Sequence, residues 1–254
     1  VANLSYKVLN SFGVTATIQV SKLNDQAPRP VSAYTDFKRI VVQVKTNLDL
    51  TDMDALAEYI FMVKGAVYHE GGHNLFTLPF DMMVSQVLNM DPSDPDVKRV
   101  AMELNIYGQR ERFKFAWNIL EDQRMESAMV NESPILSRYF TSIVLNVVVD
   151  RSRYDSAWPW LSGRNYLDPA IRKAFRAAAR TTHDDDLIRR IDSVVARYRV
   201  ANDPLEMMLL VIQFETLLRE WCINTDDPSN SRGASHPSPS PAPGWKPKPV
   251  PQDG

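Results

Sequence analysis

The apolar positions of the chain change their period near residue 50. Ahead of it they come in short alternating runs. VTATIQV over 14–20 and KRIVVQVK over 38–45 are rich in β-branched residues and read as strands, separated by a proline-bearing loop, NDQAPRPVSAYTDF. LSYKVLNSFG, before the first strand, reads as a short helix closed by Gly13. Past residue 50 the period is helical. Met53, Leu56, Ile60, Val63 and Val67 recur at the spacing of one helix face, behind Thr51 as N-cap and Asp54 three residues on. Pro79 limits that helix. Further helices are predicted over 80–88, 94–107, 111–130, 134–149, 169–181, 185–199 and 204–221, several opened by a proline in the first turn. The pattern predicts an α+β fold, mainly α, with a small N-terminal sheet, as one domain over 1–224.

From residue 225 the character changes. Eight of the chain's seventeen prolines lie between Pro228 and Pro251, and the only large apolar residues there are Trp245 and Val250. Such a segment buries too little surface to offset its ordering entropy, so 225–254 is expected to be a disordered, proline-rich tail or linker. Its PxxP spacing suits an SH3-like or WW-like partner, although a spacer is the simpler reading.

Composition narrows the function classes. With 254 residues, 44% hydrophobic and 24% charged, the chain can bury a substantial core. A formal charge of -2 gives no reason to expect nucleic acid or an anionic membrane as partner. The arginine-rich stretches over 172–180 and 189–199 are interleaved with Asp184, Asp185, Asp186 and Asp192, and read as solvated helix faces. Cys222 stands alone, which excludes an intramolecular disulfide and a CxxC site. The N-terminus lacks a basic region followed by an apolar core, so no signal peptide is expected. The longest apolar run, MMLLVIQF over 207–214, sits between Glu206 and Glu215, far short of a membrane span. The cytoplasm is the expected compartment.

The candidate chemistry lies in AVYHEGGHNLF. His69-Glu70-Gly71-Gly72-His73 is an HExxH motif. On a helix, positions four apart share a face, so both imidazoles can meet one ion. Glu70 points away from them, within reach of a metal-bound water. Two neutral nitrogens, a third protein ligand and an open position suit zinc (Zn2+). Gly71 and Gly72 together cost a helix about 2 kcal/mol relative to alanines, which makes sense if a backbone or a substrate approaches closely there. A histidine third ligand in the metzincin manner is excluded, because Phe76 and Pro79 stand where that motif needs Gly and His. The other histidines are His183 and His236, the latter in the tail. A carboxylate from a second helix fits better. FAWNILEDQRMESAMV over 115–130 sets Asn118, Glu121, Asp122, Arg124 and Glu126 among large apolar residues.

Together the two segments resemble the gluzincin pattern. More narrowly, HEGGHNLFT followed by NILEDQRME is similar to metallopeptidase domains of bacteria and phages in which HExxH precedes an LEDxRxE helix, often in proteins that carry a von Willebrand A-type domain. The resemblance spans about 33–166 and implies a zincin-like fold and a hydrolase that cleaves peptide bonds. It implies His69 and His73 as zinc ligands, Glu70 as general base and Glu121 as third ligand, with Asp122 in reserve. Glu126 would support a zinc histidine. If ligand and supporting acid stand four apart, Asp122 with Glu126 fits better than Glu121. KRIVVQVK would be the edge strand on which an extended peptide lies. Tyr166, with His183 behind it, is the candidate donor to the oxyanion. No DxSxS motif occurs, so a von Willebrand partner domain is absent or separate. The alternative in another class is a metal-stabilised, non-catalytic scaffold that binds a AAA+ or von Willebrand A-type protein.

Overall fold

The computed structural model describes residues 13–24 (except 15), 31–45, 51–106, 108–145 and 155–225, together with Ser5, Lys7, Leu9 and Asn10. The proline-rich tail beyond residue 225 and half of the predicted N-terminal helix lie outside the described residues, and Ser5, Lys7, Leu9 and Asn10 are helical. The described chain is mainly helical with one small sheet, and it divides into two compact units between Leu75 and Phe76. Among the described residues no helix is long and apolar enough to cross a membrane.

The first unit holds three strands, β1 (Thr17–Lys22), β2 (Val31–Thr35) and β3 (Arg39–Val44), and all but the last residue of the long helix α1 (Met53–Phe76). The strand order is β1-β3-β2, with β1 parallel and β2 antiparallel to β3. This corrects two expectations. VSAYT, read as part of a loop, is a strand, with Val31 and Thr35 buried at its ends. KRIVVQVK is the central strand of the sheet and not an edge, so its backbone is already paired on both sides. Its composition explains the position. Ile40, Val41 and Val42 are buried in succession, as in a strand covered on both faces. Ile40, Val42 and Val44 join Met62, Val63 and Val67 of α1 in one apolar cluster with Leu9, Val14 and Val31. The cap of α1 also differs from expectation. The Asp52 carboxylate accepts the amides of Asp54 and Ala55 at 2.9 and 3.3 Å, which is the work assigned to Thr51.

The second unit is a helical assembly: α2 (Phe80–Leu88), α3 (Pro95–Leu104), α4 (Gln109–Glu132), α5 (Leu136–Val144), α6 (Trp158–Leu161), α7 (Pro169–Ala179), α8 (Asp185–Tyr198) and α9 (Pro204–Thr225). Aspartates open α3, α7 and α8: Asp94, Asp168 and Asp184 each accept an amide of the first turn at 2.7 Å. The apolar run in α9 is a core device. Met207, Met208, Leu210, Val211, Ile212 and Phe214 are all buried, and α9 packs on α2, α3, α4 and α8.

Candidate metal centre

In the first unit, His69 and His73 stand one turn apart near the C-terminal end of α1. Their Nε2 atoms are 3.2 Å apart and the ring planes cross at 80°. Two nitrogens about 2.0–2.1 Å from one zinc ion, at a near-tetrahedral angle, would have a similar separation, so the pair fits a shared ion. Asn74 fixes the turn that carries them. Its side-chain amide donates to the Glu70 carbonyl and to Thr35 Oγ1, both at 3.0 Å, tying the helix end to β2. Glu70 is half-buried, and His73 is buried. Gly71 has a specific reason to lack a side chain: a Cβ there would lie 2.7 Å from Leu9 Cδ2. For this glycine the close neighbour is thus an apolar side chain, where a backbone or substrate had been expected.

In the second unit, α4 brings its polar residues into a buried network. Glu121 is fully buried. Arg124 grips it with Nε on Oε2 at 2.9 Å and a terminal nitrogen on Oε1 at 2.6 Å, and Tyr198 donates to Oε2 at 3.1 Å. Arg124 donates as well to the carbonyl of Phe76, the first residue of this unit. Burial works against the Arg124 charge, but Glu121 outweighs it and holds the guanidinium's pKa above its ordinary value. Burial and the same carboxylate keep Tyr198 protonated, well above the usual tyrosine range. Glu121, the acid expected as third ligand, therefore has both oxygens engaged by its own helix and by α8.

Glu126 is held by another buried set. Arg164 meets it through two bonds of 2.6 and 3.0 Å and also donates to the Trp160 carbonyl. The Tyr166 hydroxyl donates to Glu126 Oε2 at 2.5 Å. Burial, followed by the Glu126 charge, drives the Tyr166 phenol well above the tyrosine range, so it remains a donor to that carboxylate. Gln123 and Ser127 complete the seam. Gln123 accepts the Gly163 amide at 2.7 Å and donates to the Ile119 and Pro159 carbonyls, and Ser127 donates to the Gln123 carbonyl. Gly163 sits so close that a Cβ would lie 2.6 Å from Val195 Cγ1.

Asp122 lies between Glu121 and Gln123 and is half-buried. It stands four residues, about one turn, before Glu126. His183, expected behind Tyr166, is a core residue. Its ring stacks on Trp221 at 3.5 Å, Nε2 faces the Trp221 carbonyl at 3.0 Å and Nδ1 faces Thr182 Oγ1 at 2.8 Å. Nδ1 also faces the Ala179 carbonyl at 3.3 Å, so both ring nitrogens are engaged within the core and none is left for an oxyanion. His236 lies outside the described residues.

Comparison of the chain with protein-family models, with curated proteins and with solved structures finds no match.

Proposed function

We propose that the protein is a zinc-dependent peptidase with a zincin-like fold, in which His69, His73 and Asp122 hold the ion and Glu70 is the general base. The reading rests on one grouping. His69 and His73 set their Nε2 atoms 3.2 Å apart on one turn of α1, close enough to share a metal, and the helix over 115–130 supplies Asp122 as the proposed carboxylate. Two imidazoles and a carboxylate form the donor set of a catalytic zinc with a position left for water. When bound, the ion would lower the pKa of its water to about 7. Glu70, the next residue after His69, would take the proton of the attacking water and pass it to the leaving amine. Asp122 replaces Glu121 as ligand because Arg124 and Tyr198 already occupy the Glu121 carboxylate. Glu126, clamped by Arg164 and Tyr166, would steady the face of α4 that carries Asp122. An extended peptide substrate would pair with an outer strand, β1 or β2, since β3 is occupied on both sides.

Glu70→Gln tests the reading. The variant is expected to keep its zinc and lose hydrolysis of unfolded protein substrates. Turnover equal to that of the parent would place the base elsewhere.

A further inference from the structure

The arginines of α7 and α8 are not all solvated. Arg180, Arg189 and Arg190 follow that expectation, with exposed ion pairs to Asp185 and Asp186. Arg172, Arg176 and Arg199 do not. They are half-buried and line a cavity of about 220 Å³ together with Trp158, Ser162 and Asp192. The spacing explains the division. Arg172 and Arg176 are one turn apart on α7, and Arg199 follows Asp192 by two turns at the end of α8.

The cavity has more positive charge than its own acids neutralise. Among the described residues Asp192 is the one carboxylate in its lining. Both of its oxygens are engaged, one by Arg176 at 2.8 Å and one by Trp158 Nε1 at 2.9 Å, while Arg176 lies over the Trp158 ring at 5.6 Å. Among the described residues Arg172 reaches only the Ser162 carbonyl, at 2.9 Å. No ion pair or side-chain hydrogen bond reaches Arg199 among the described residues. The Nε atoms of Arg172, Arg176 and Arg199 and the Ser162 hydroxyl are buried without a partner. Buried donors normally find acceptors, and four missing at one cavity point to an acceptor from outside. The crowding also registers on the arginines. Burial lowers the pKa of Arg172 despite the pull of Asp192, with Arg199 and Arg176 pushing the same way, and burial lowers that of Arg199.

Three guanidinium groups against one carboxylate leave two positive charges. A phosphoryl group carries about 1.5 to 2 negative charges at pH 7, with three acceptor oxygens suited to guanidinium forks. The volume is below the roughly 300–1,000 Å³ of pockets for drug-sized ligands, which suits one such group better than a whole nucleotide. We propose that the cavity formed by α6, α7 and α8 is a binding site for a phosphoryl group, as free phosphate or as the head of a small phosphate monoester, with Arg172, Arg176, Arg199 and Ser162 as its donors.

Calorimetric titration of the full chain in phosphate-free, low-salt buffer tests this, with inorganic phosphate, glycerol 3-phosphate and acetate as separate titrants. Saturable binding of one of the phosphates is expected, with the tighter of the two identifying free phosphate or monoester as the source. Arg199→Gln should weaken it by about tenfold or more. Because Arg199 holds no ion pair or side-chain hydrogen bond among the described residues, the same variant should unfold at no lower temperature than the parent without anion, which separates lost binding from lost fold. Absence of saturable binding to the parent at millimolar phosphate would overturn the proposal, as would acetate binding equal to phosphate. Undiminished phosphate binding by Arg199→Gln would do so too, since an ion held by the untouched histidine pair would then be the receptor.

Discussion

The Tyr166 hydroxyl donates to the Glu126 carboxylate across 2.5 Å, beside an arginine that grips the same carboxylate twice. This bond gives Tyr166 a structural task, where an oxyanion donor had been expected. Tyr166→Phe removes one charge-assisted bond, so it should cost about 1.5–3 kcal/mol of stability and leave zinc content unchanged. Chemical denaturation checks the first part and metal analysis the second. A donor acting on the oxyanion would behave otherwise, with kcat falling by about 10²–10³ at constant stability.

Glu121 and Asp122 are adjacent, and their environments predict opposite phenotypes. Glu121→Gln leaves the Arg124 charge uncompensated in a largely buried setting, at a cost of about 3–5 kcal/mol, with the ion retained. Asp122→Asn should lose the ion and change stability in metal-free protein far less. Paired denaturation curves and zinc analyses of the two variants decide between the carboxylates. Zinc loss by Glu121→Gln at full stability would restore Glu121 as ligand.

Lys114 gives a pH signature outside the site. Burial lowers its ammonium to about 8, against the pull of Asp81 and Glu111. The unfolded chain, with a lysine pKa near 10.5, then binds more protons than the folded one between pH 8 and 10.5. This group's contribution to stability therefore rises with pH through that window. Lys114→Met should flatten the rise and stabilise the protein at pH 7. An unchanged slope in denaturation series from pH 7 to 10.5 would remove Lys114 as its source.

What could be read from the sequence follows the range of the forces involved. α2 was read to the residue, because its periodicity and Pro79 are local signals, and the starts of α7, α8 and α9 follow from local aspartate and proline chemistry. β2 was hidden because Pro28 and Pro30 make its approach look like a loop, while the pairing that makes it a strand comes from β3. The central place of β3 was legible in the unbroken Ile40-Val41-Val42 run, which an edge strand would not need. That the two histidines share one helix face was readable from spacing alone, and so was the polar cluster on the helix over 115–130. The engagement of Glu121 was not, because one of its partners, Tyr198, lies 77 residues further on. The inward arginines of α7 and α8 were equally opaque, since a charged stripe shows its period and not the side on which the protein closes over it.

Zinc content per chain, measured on the purified parent and on His69→Ala, His73→Ala and Asp122→Ala, tests the central claim most directly. The account predicts about one zinc per parent chain and loss of the ion from all three variants, each still folded by circular dichroism. Three folded variants that keep the parent's zinc would contradict it.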